Sequence, residues 1–152
     1  MNDLTITKLA TTDAADVRGM LAADGADYRQ YFLAFGDDDR IADALARARR
    51  DQYWGIRSNG ALIGLVMLRG FDEGYAVPAF GVYVARSHGG KGIARLALRF
   101  AISWCRLNHC DEIMLSVHPN HAEALRIYEG CGFQFAGETS AIGHRIYRRK
   151  LS

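Results

Sequence analysis

Hydrophobic positions along the chain fall into short alternating runs interleaved with stripes at helical spacing, an order that predicts layered strands and helices. Thr5 to Leu9 reads as a first strand, and Thr12-Asp13 caps a helix whose apolar residues Ala14, Val17, Met20 and Leu21 recur at helical intervals. Between Gly25 and Gly36 the periodicity lapses into a loop-like, aromatic stretch with Tyr28, Tyr31, Phe32 and Phe35. Asp37-Asp38-Asp39 then caps a second helix running through Arg49. Gln52 to Arg57 and Ala61 to Arg69 flank Ser58-Asn59-Gly60, and because asparagine and glycine both tolerate positive φ, this predicts an antiparallel hairpin.

Further along, Phe80, Val82 and Val84 alternate with Gly81 and Tyr83 in a fourth strand. From Lys91 to Asn108 the residues Ile93, Leu96, Ala97, Phe100, Trp104 and Leu107 form one apolar stripe, with Arg95, Arg99 and Arg106 mostly off it; this is the clearest helix. Glu112 to Val117 is a further strand, and His121 to Glu129 a helix ended by Gly130. Two terminal strands occupy Phe133 to Glu138 and His144 to Leu151. The order is β-α-α-β-β-β-α-β-α-β-β, without repeats or a proline-rich linker, as expected of a single α/β domain over residues 1–152.

Composition narrows the partners. With 152 residues, 49% of them apolar, the chain can bury the core of one ordinary domain. Nineteen basic against 17 acidic side chains leave a net charge of +2, too weak a field to argue for nucleic acid or a membrane surface. Cys105, Cys110 and Cys131 are odd in number and lack CxxC spacing, which speaks for buried thiols in a reducing compartment rather than a disulfide framework or zinc site. The N-terminus carries Asp3 and no apolar run, and the longest apolar stretch, Ala61 to Leu68, is far short of the roughly 20 residues that span a bilayer; a cytoplasmic protein is expected. His118 and His121 are separated by a helix-disrupting Pro119 and have no third ligand in sight, so no metal is predicted.

The candidate chemistry starts at Gly89-Gly90-Lys91-Gly92-Ile93-Ala94, where a strand runs through glycines directly into a helix. Such a turn exposes backbone N–H groups at the positive end of the helix dipole, a cradle for pyrophosphate. Its plain structural reading is a chain reversal, though three glycines within four residues exceed what a reversal needs. A Walker loop is excluded because no Ser or Thr follows Lys91. A dinucleotide fingerprint fails at Arg95, where helix–strand packing needs a glycine, and at Asp111 and Glu112, which stand at the start of the next strand rather than its end.

Val82 to Ala94 resembles the pyrophosphate-binding motif of the GNAT superfamily of N-acetyltransferases, written Q/R-x-x-G-x-G/A: Gly92 and Ala94 match, and Gly89 replaces the usual first side chain. A second segment, Ala124 to Phe133 with Tyr128, Gly130, Gly132 and Phe133, resembles the late helix of the same family. Where that family often carries an asparagine seven residues before the tyrosine, this chain has His121 beside Asn120. The resemblance covers essentially the whole chain. It implies a mixed central sheet of six to seven strands with about four helices, splayed at strands four and five. It further implies acetyl-CoA as cosubstrate, bound through Val82, Tyr83 and Val84, through Gly89, Gly90, Lys91, Gly92, Ile93 and Ala94, and at Asn120 or His121.

Direct transfer from thioester to amine raises two proton problems. Tyr128, a phenol with an ordinary pKa near 10, is the candidate acid for the departing thiolate, against a plain reading as a packed aromatic. Glu73 and His118 are the candidate bases, against readings as a solvated loop acid and a strand-end residue. Tyr28, Tyr31 and Phe32 are candidates to wall the acceptor pocket, with core packing as the equal alternative. Arg145, Arg148, Arg149 and Lys150 form an exposed strand face, with contact to an anionic acceptor as the sharper alternative. The expected activity is acetyl transfer to a primary amine of a small molecule by a monomer or homodimer. A non-catalytic acyl-CoA-binding module and a protein N-acetyltransferase are the alternatives.

Overall fold

Asn59 and Gly60 adopt φ of 52° and 83°, the left-handed pair that turns β2 (Gln52–Ser58) back onto β3 (Ala61–Arg69). The computed structural model describes residues 1–151. β1 (Thr5–Lys8) pairs with the outer side of β2, and β4 (Ala79–Val84) with the other side of β3, all antiparallel. After the connection that carries the glycine turn, α4 (Ile93–Leu107) crosses over to β5 (Glu112–Val117), which lies parallel to β4, as a crossover helix demands. α5 (Ala122–Gly130) leads to β6 (Gln134–Thr139) and β7 (Arg145–Lys150), and the sheet closes in the order β1-β2-β3-β4-β5-β7-β6.

The two faces of the sheet carry separate cores. Phe80, Ile113, Leu115 and Val117 point to one face, where α4 and α5 pack; Tyr53, Leu65, Met67 and Tyr83 point to the other, covered by α1 (Ala14–Ala22) and α3 (Ile41–Arg47). β3, flanked by β2 and β4 and covered on both faces, is buried without a break from Ile63 to Leu68, which is why its sequence reads as a continuous apolar run.

α4 lies on the sheet slightly rotated from the expected stripe. Its buried residues are Ile93, Ala97, Leu98, Ala101, Ile102 and Cys105, whereas Leu96 and Leu107 are exposed. The reason is steric: Ala97 and Ala101 let the helix axis approach the strands, Leu98 and Ile102 then fill the flank, and the bulky Phe100 and Trp104 are displaced to the edge against Trp54, with ring centroids 5.0 and 5.6 Å away. The aromatic stretch also departs from a plain loop, because one helical turn, α2 (Ala26–Arg29), forms within it. Asp37 caps the turn that precedes α3 by accepting from the Asp39 N–H at 2.8 Å. No helix among the described residues is long and apolar enough to cross a membrane.

Leu98 is fully buried between α4 and the strands. Leu98→Ala is expected to lower the unfolding free energy by about 3 kcal/mol in urea titrations, as a cavity that the sheet cannot collapse into demands.

Candidate functional site

β4 and β5 touch only at their beginnings. The ladder closes at Ala79↔Met114, with the Met114 N–H donating to the Pro78 carbonyl at 3.0 Å, and no further pairing joins the strands. Ala85 N–H donates to Ile63 at 2.8 Å, so by antiparallel alternation Tyr83 and Gly81 turn their backbone toward β3, while Val82 and Val84 turn theirs toward the gap. Backbone groups left open in such a cleft are completed by side chains, by solvent or by a polar, strand-like partner.

The glycine turn lies at the open end of this gap. A 3₁₀ turn, Arg86–His88, ends at Gly89, and Gly92 caps α4 with φ of 80° and no side-chain hydrogen bond. The N–H groups from Gly90 to Arg95 have no protein acceptor among the described residues, and at Gly90 and Gly92 a Cβ position would meet nothing within 4 Å. Six donors at a helix N-terminus suit a diphosphate. Lys91 lies exposed in the same turn. α5 also begins at the open end of β5 without a side-chain cap, at His121, so two helix N-termini flank the gap's mouth.

Tyr128 stands near the closed end. Its ring meets Phe80 of β4 edge-on at 6.2 Å and Phe133 at 6.2 Å, and its hydroxyl makes no hydrogen bond among the described residues. The residue retains some exposure, but loss of solvent around the phenol pushes its pKa up to about 12, so it holds its proton throughout the neutral range.

The aromatic stretch divides its members between core and cleft. Phe32 packs on Tyr83 with centroids 5.0 Å apart and Phe35 on Tyr53 at 6.1 Å, both as part of the α1/α3 core. Tyr28 donates its hydroxyl to the Val84 carbonyl at 2.6 Å, on the β4 lip of the gap. Tyr31 stacks between His118 and His121 on the β5 side, 4.7 Å from each ring. Arg69 donates to the Ala34 carbonyl at 2.6 Å and ties down the end of the segment. The strap is therefore fastened to both lips.

The base candidates come out differently. His118 Nδ1 accepts the Asn120 N–H at 3.0 Å, which engages the lone pair of the neutral ring and leaves the proton on Nε2; so placed, His118 is a donor. His121 is pressed below its usual pKa, first by desolvation, and His144, whose ring meets His118 at 5.4 Å, is lowered for the same leading reason. Glu73 is exposed in the turn that leads toward β4. Tyr83 has its side chain in the α1/α3 core, away from the gap, where its hydroxyl donates to Asp24. The basic C-terminal strand splits between faces: Arg148 reaches Glu112 and Glu138 at 3.8 and 3.7 Å, whereas Arg149 packs over Gly132. Asp24 and His144 escaped sequence reasoning; only Asp24 carried a signal, as an acid at the unfavourable end of a helix.

Residues 19–133 match the model of the family described as Acetyltransferase (GNAT) family. N-acetylaspartate synthetase of Xenopus tropicalis is 31% identical over 94 residues, spanning 62% of this chain and 34% of that protein. Spermine/spermidine N(1)-acetyltransferase of Bacillus subtilis is 31% identical over 70 residues, 45% of this chain and 46% of that protein. The chain thus spans about a third to about half the length of these relatives. In fold it is similar to spermidine N-acetyltransferase from Vibrio cholerae, solved in complex with CoA and spermine, with a TM-score of 0.76 at 20% identity over 95% of this chain and 92% of that one.

Gly89 has φ of −68°, open to any residue, and an added Cβ would stand 3.4 Å from the Arg86 carbonyl oxygen, whereas Gly92 is left-handed. In chemical denaturation Gly92→Ala should cost about 1 kcal/mol and Gly89→Ala less than about 0.5 kcal/mol; equal costs would contradict this turn geometry.

Proposed function

The chain belongs to the GNAT acetyltransferase family, and on that premise we propose that it transfers an acetyl group from acetyl-CoA to a primary amine of a small molecule. The observation that carries this is the β4–β5 gap, edged by the unpaired backbone of Val82 and the unpaired N–H of Val84 and ending at the uncapped N–H groups of Gly90 to Arg95. When bound, acetyl-CoA supplies the activated acyl carbon and a thiolate leaving group.

The chain's own residues have three tasks in this reading. The glycine turn and the N-terminus of α4 hold the diphosphate, Lys91 adding charge, and the start of α5 at Asn120 and His121 adds a second contact. Val82, through its N–H and carbonyl, and Val84, through its N–H alone, offer backbone partners to the amide-bearing arm, as a neighbouring strand would. Tyr128 donates a proton as negative charge develops on sulfur, and its upward-shifted pKa keeps that proton available.

The incoming amine must arrive neutral, at about 4–5 kcal/mol for a lysine-like amine at pH 7. His118, whose acceptor nitrogen is occupied, is the weaker of the two side-chain bases. The proton then passes to water, with Glu73 as the carboxylate on the loop ahead of β4. A strap fastened on both lips by Tyr28 and Tyr31 supports a small acceptor over a long peptide. The spermine/spermidine acetyltransferase relative points the same way, toward polyamine-like acceptors.

Thiol release from acetyl-CoA should be measured against an amine panel that includes spermidine and spermine. Tyr128→Phe should lower kcat about a hundredfold with little change in the KM for acetyl-CoA. Because Tyr128 stays protonated up to about pH 12, the wild-type rate should climb with pH as the amine deprotonates, without a fall from this phenol between pH 7 and 10. An undiminished Tyr128→Phe rate would remove the assigned acid, and calorimetry showing no acetyl-CoA binding would overturn the whole reading.

A further inference from the structure

The 3₁₀ turn Arg86–His88 that delivers the chain into the glycine turn begins at Ala85, whose methyl group cannot cap it. The missing acceptor comes from a distant element. Asp24, just past the C-terminal end of α1, accepts the Arg86 N–H at 3.1 Å through Oδ2, and the same oxygen accepts the Tyr83 hydroxyl from β4. An acid there opposes the dipole of α1 and lies near a turn built to hold an anion. Both effects are unfavourable locally, and a residue that breaks local rules in this way marks a tertiary role.

We propose that Asp24 is a positioning residue for the glycine turn: its carboxylate pins the Arg86 N–H to α1 and β4 and so fixes where the N–H groups of Gly90 to Arg95 point. This rests on the acetyl-CoA reading for its effect on affinity. The pin is well built. Tyr83 is buried, its phenol pushed upward first by desolvation and then by the bond to Asp24, so it remains a donor at every physiological pH. Tyr83 also meets Tyr28 edge-on at 5.9 Å, and Tyr28 holds the Val84 carbonyl, so the same cluster joins the strap to the cofactor turn.

The test uses the whole chain with Asp24→Ala, Asp24→Asn and Tyr83→Phe. Asp24→Ala should weaken acetyl-CoA binding in calorimetry at least about tenfold, whereas Asp24→Asn, which keeps an acceptor oxygen, should stay within about threefold of wild type. Tyr83→Phe should fall between them. At saturating acetyl-CoA kcat should remain within about twofold, since no reacting atom is touched. In the ligand-free protein, amide exchange at Arg86, His88 and Gly89, whose N–H groups are hydrogen-bonded within or onto the 3₁₀ turn, should quicken in Asp24→Ala. Should that variant fail to fold, Tyr83→Phe decides by the same two readouts. Wild-type affinity together with unchanged exchange in the variants would overturn the assignment. A wild type that fails to bind acetyl-CoA would sink the cofactor reading alone, and the exchange measurement would still decide on the pin.

Discussion

The parting of β4 and β5 after one bridge is the constraint from which the rest of the structure follows. Two parallel strands that pair at Ala79↔Met114 and then separate leave backbone groups in the middle of a sheet without partners. Such an opening is tolerable only where the strands are held apart by other contacts and where solvent or a ligand completes the ladder. The chain meets the first requirement from both faces. α4 and α5 hold one side through Leu98, Ile102 and Tyr128, and α1, α3 and the aromatic strap hold the other through Phe32, Phe35 and Tyr83.

The strap has two roles that its sequence mixes together. Phe32 and Phe35 sink into the core and anchor it, while Tyr28 and Tyr31 reach the two lips with a hydroxyl and a ring face. Tyrosine suits the lips because it offers apolar area and a polar tip together. The anchoring makes the position of the lip residues a property of the core, and Asp24 extends the same dependence to the 3₁₀ turn ahead of the glycines.

Several elements were legible from local chemistry. Asn59-Gly60 encodes its hairpin because few residues tolerate two successive positive φ values, and β5 begins and ends at Glu112 and Val117 as its alternation predicts. α4 was plain as a helix but not in its rotation: the stripe through Leu96 and Leu107 and the one through Leu98, Ile102 and Cys105 are close in hydrophobicity, and the small Ala97 and Ala101 decide which meets the sheet. Among the candidate site residues, the glycine turn and Tyr128 were visible because each lies in one short segment. The placement of His118 as a donor was not, since it depends on how the chain turns at Asn120.

By itself, then, the sequence determined the order of elements, the uncapped glycine entry to α4, the tyrosine on α5 and the family resemblance, all of which rest on spacing within a few residues. Tertiary structure alone decided which stripe of α4 meets the sheet, that the aromatic segment divides between core and lips, that Arg148 pairs with Glu112 and Glu138, and that Asp24 caps a turn 62 residues away. The physical reason is common to all four. Each depends on which surfaces meet once the apolar faces are buried, and the interactions that result link residues whose separation along the chain leaves no periodic trace.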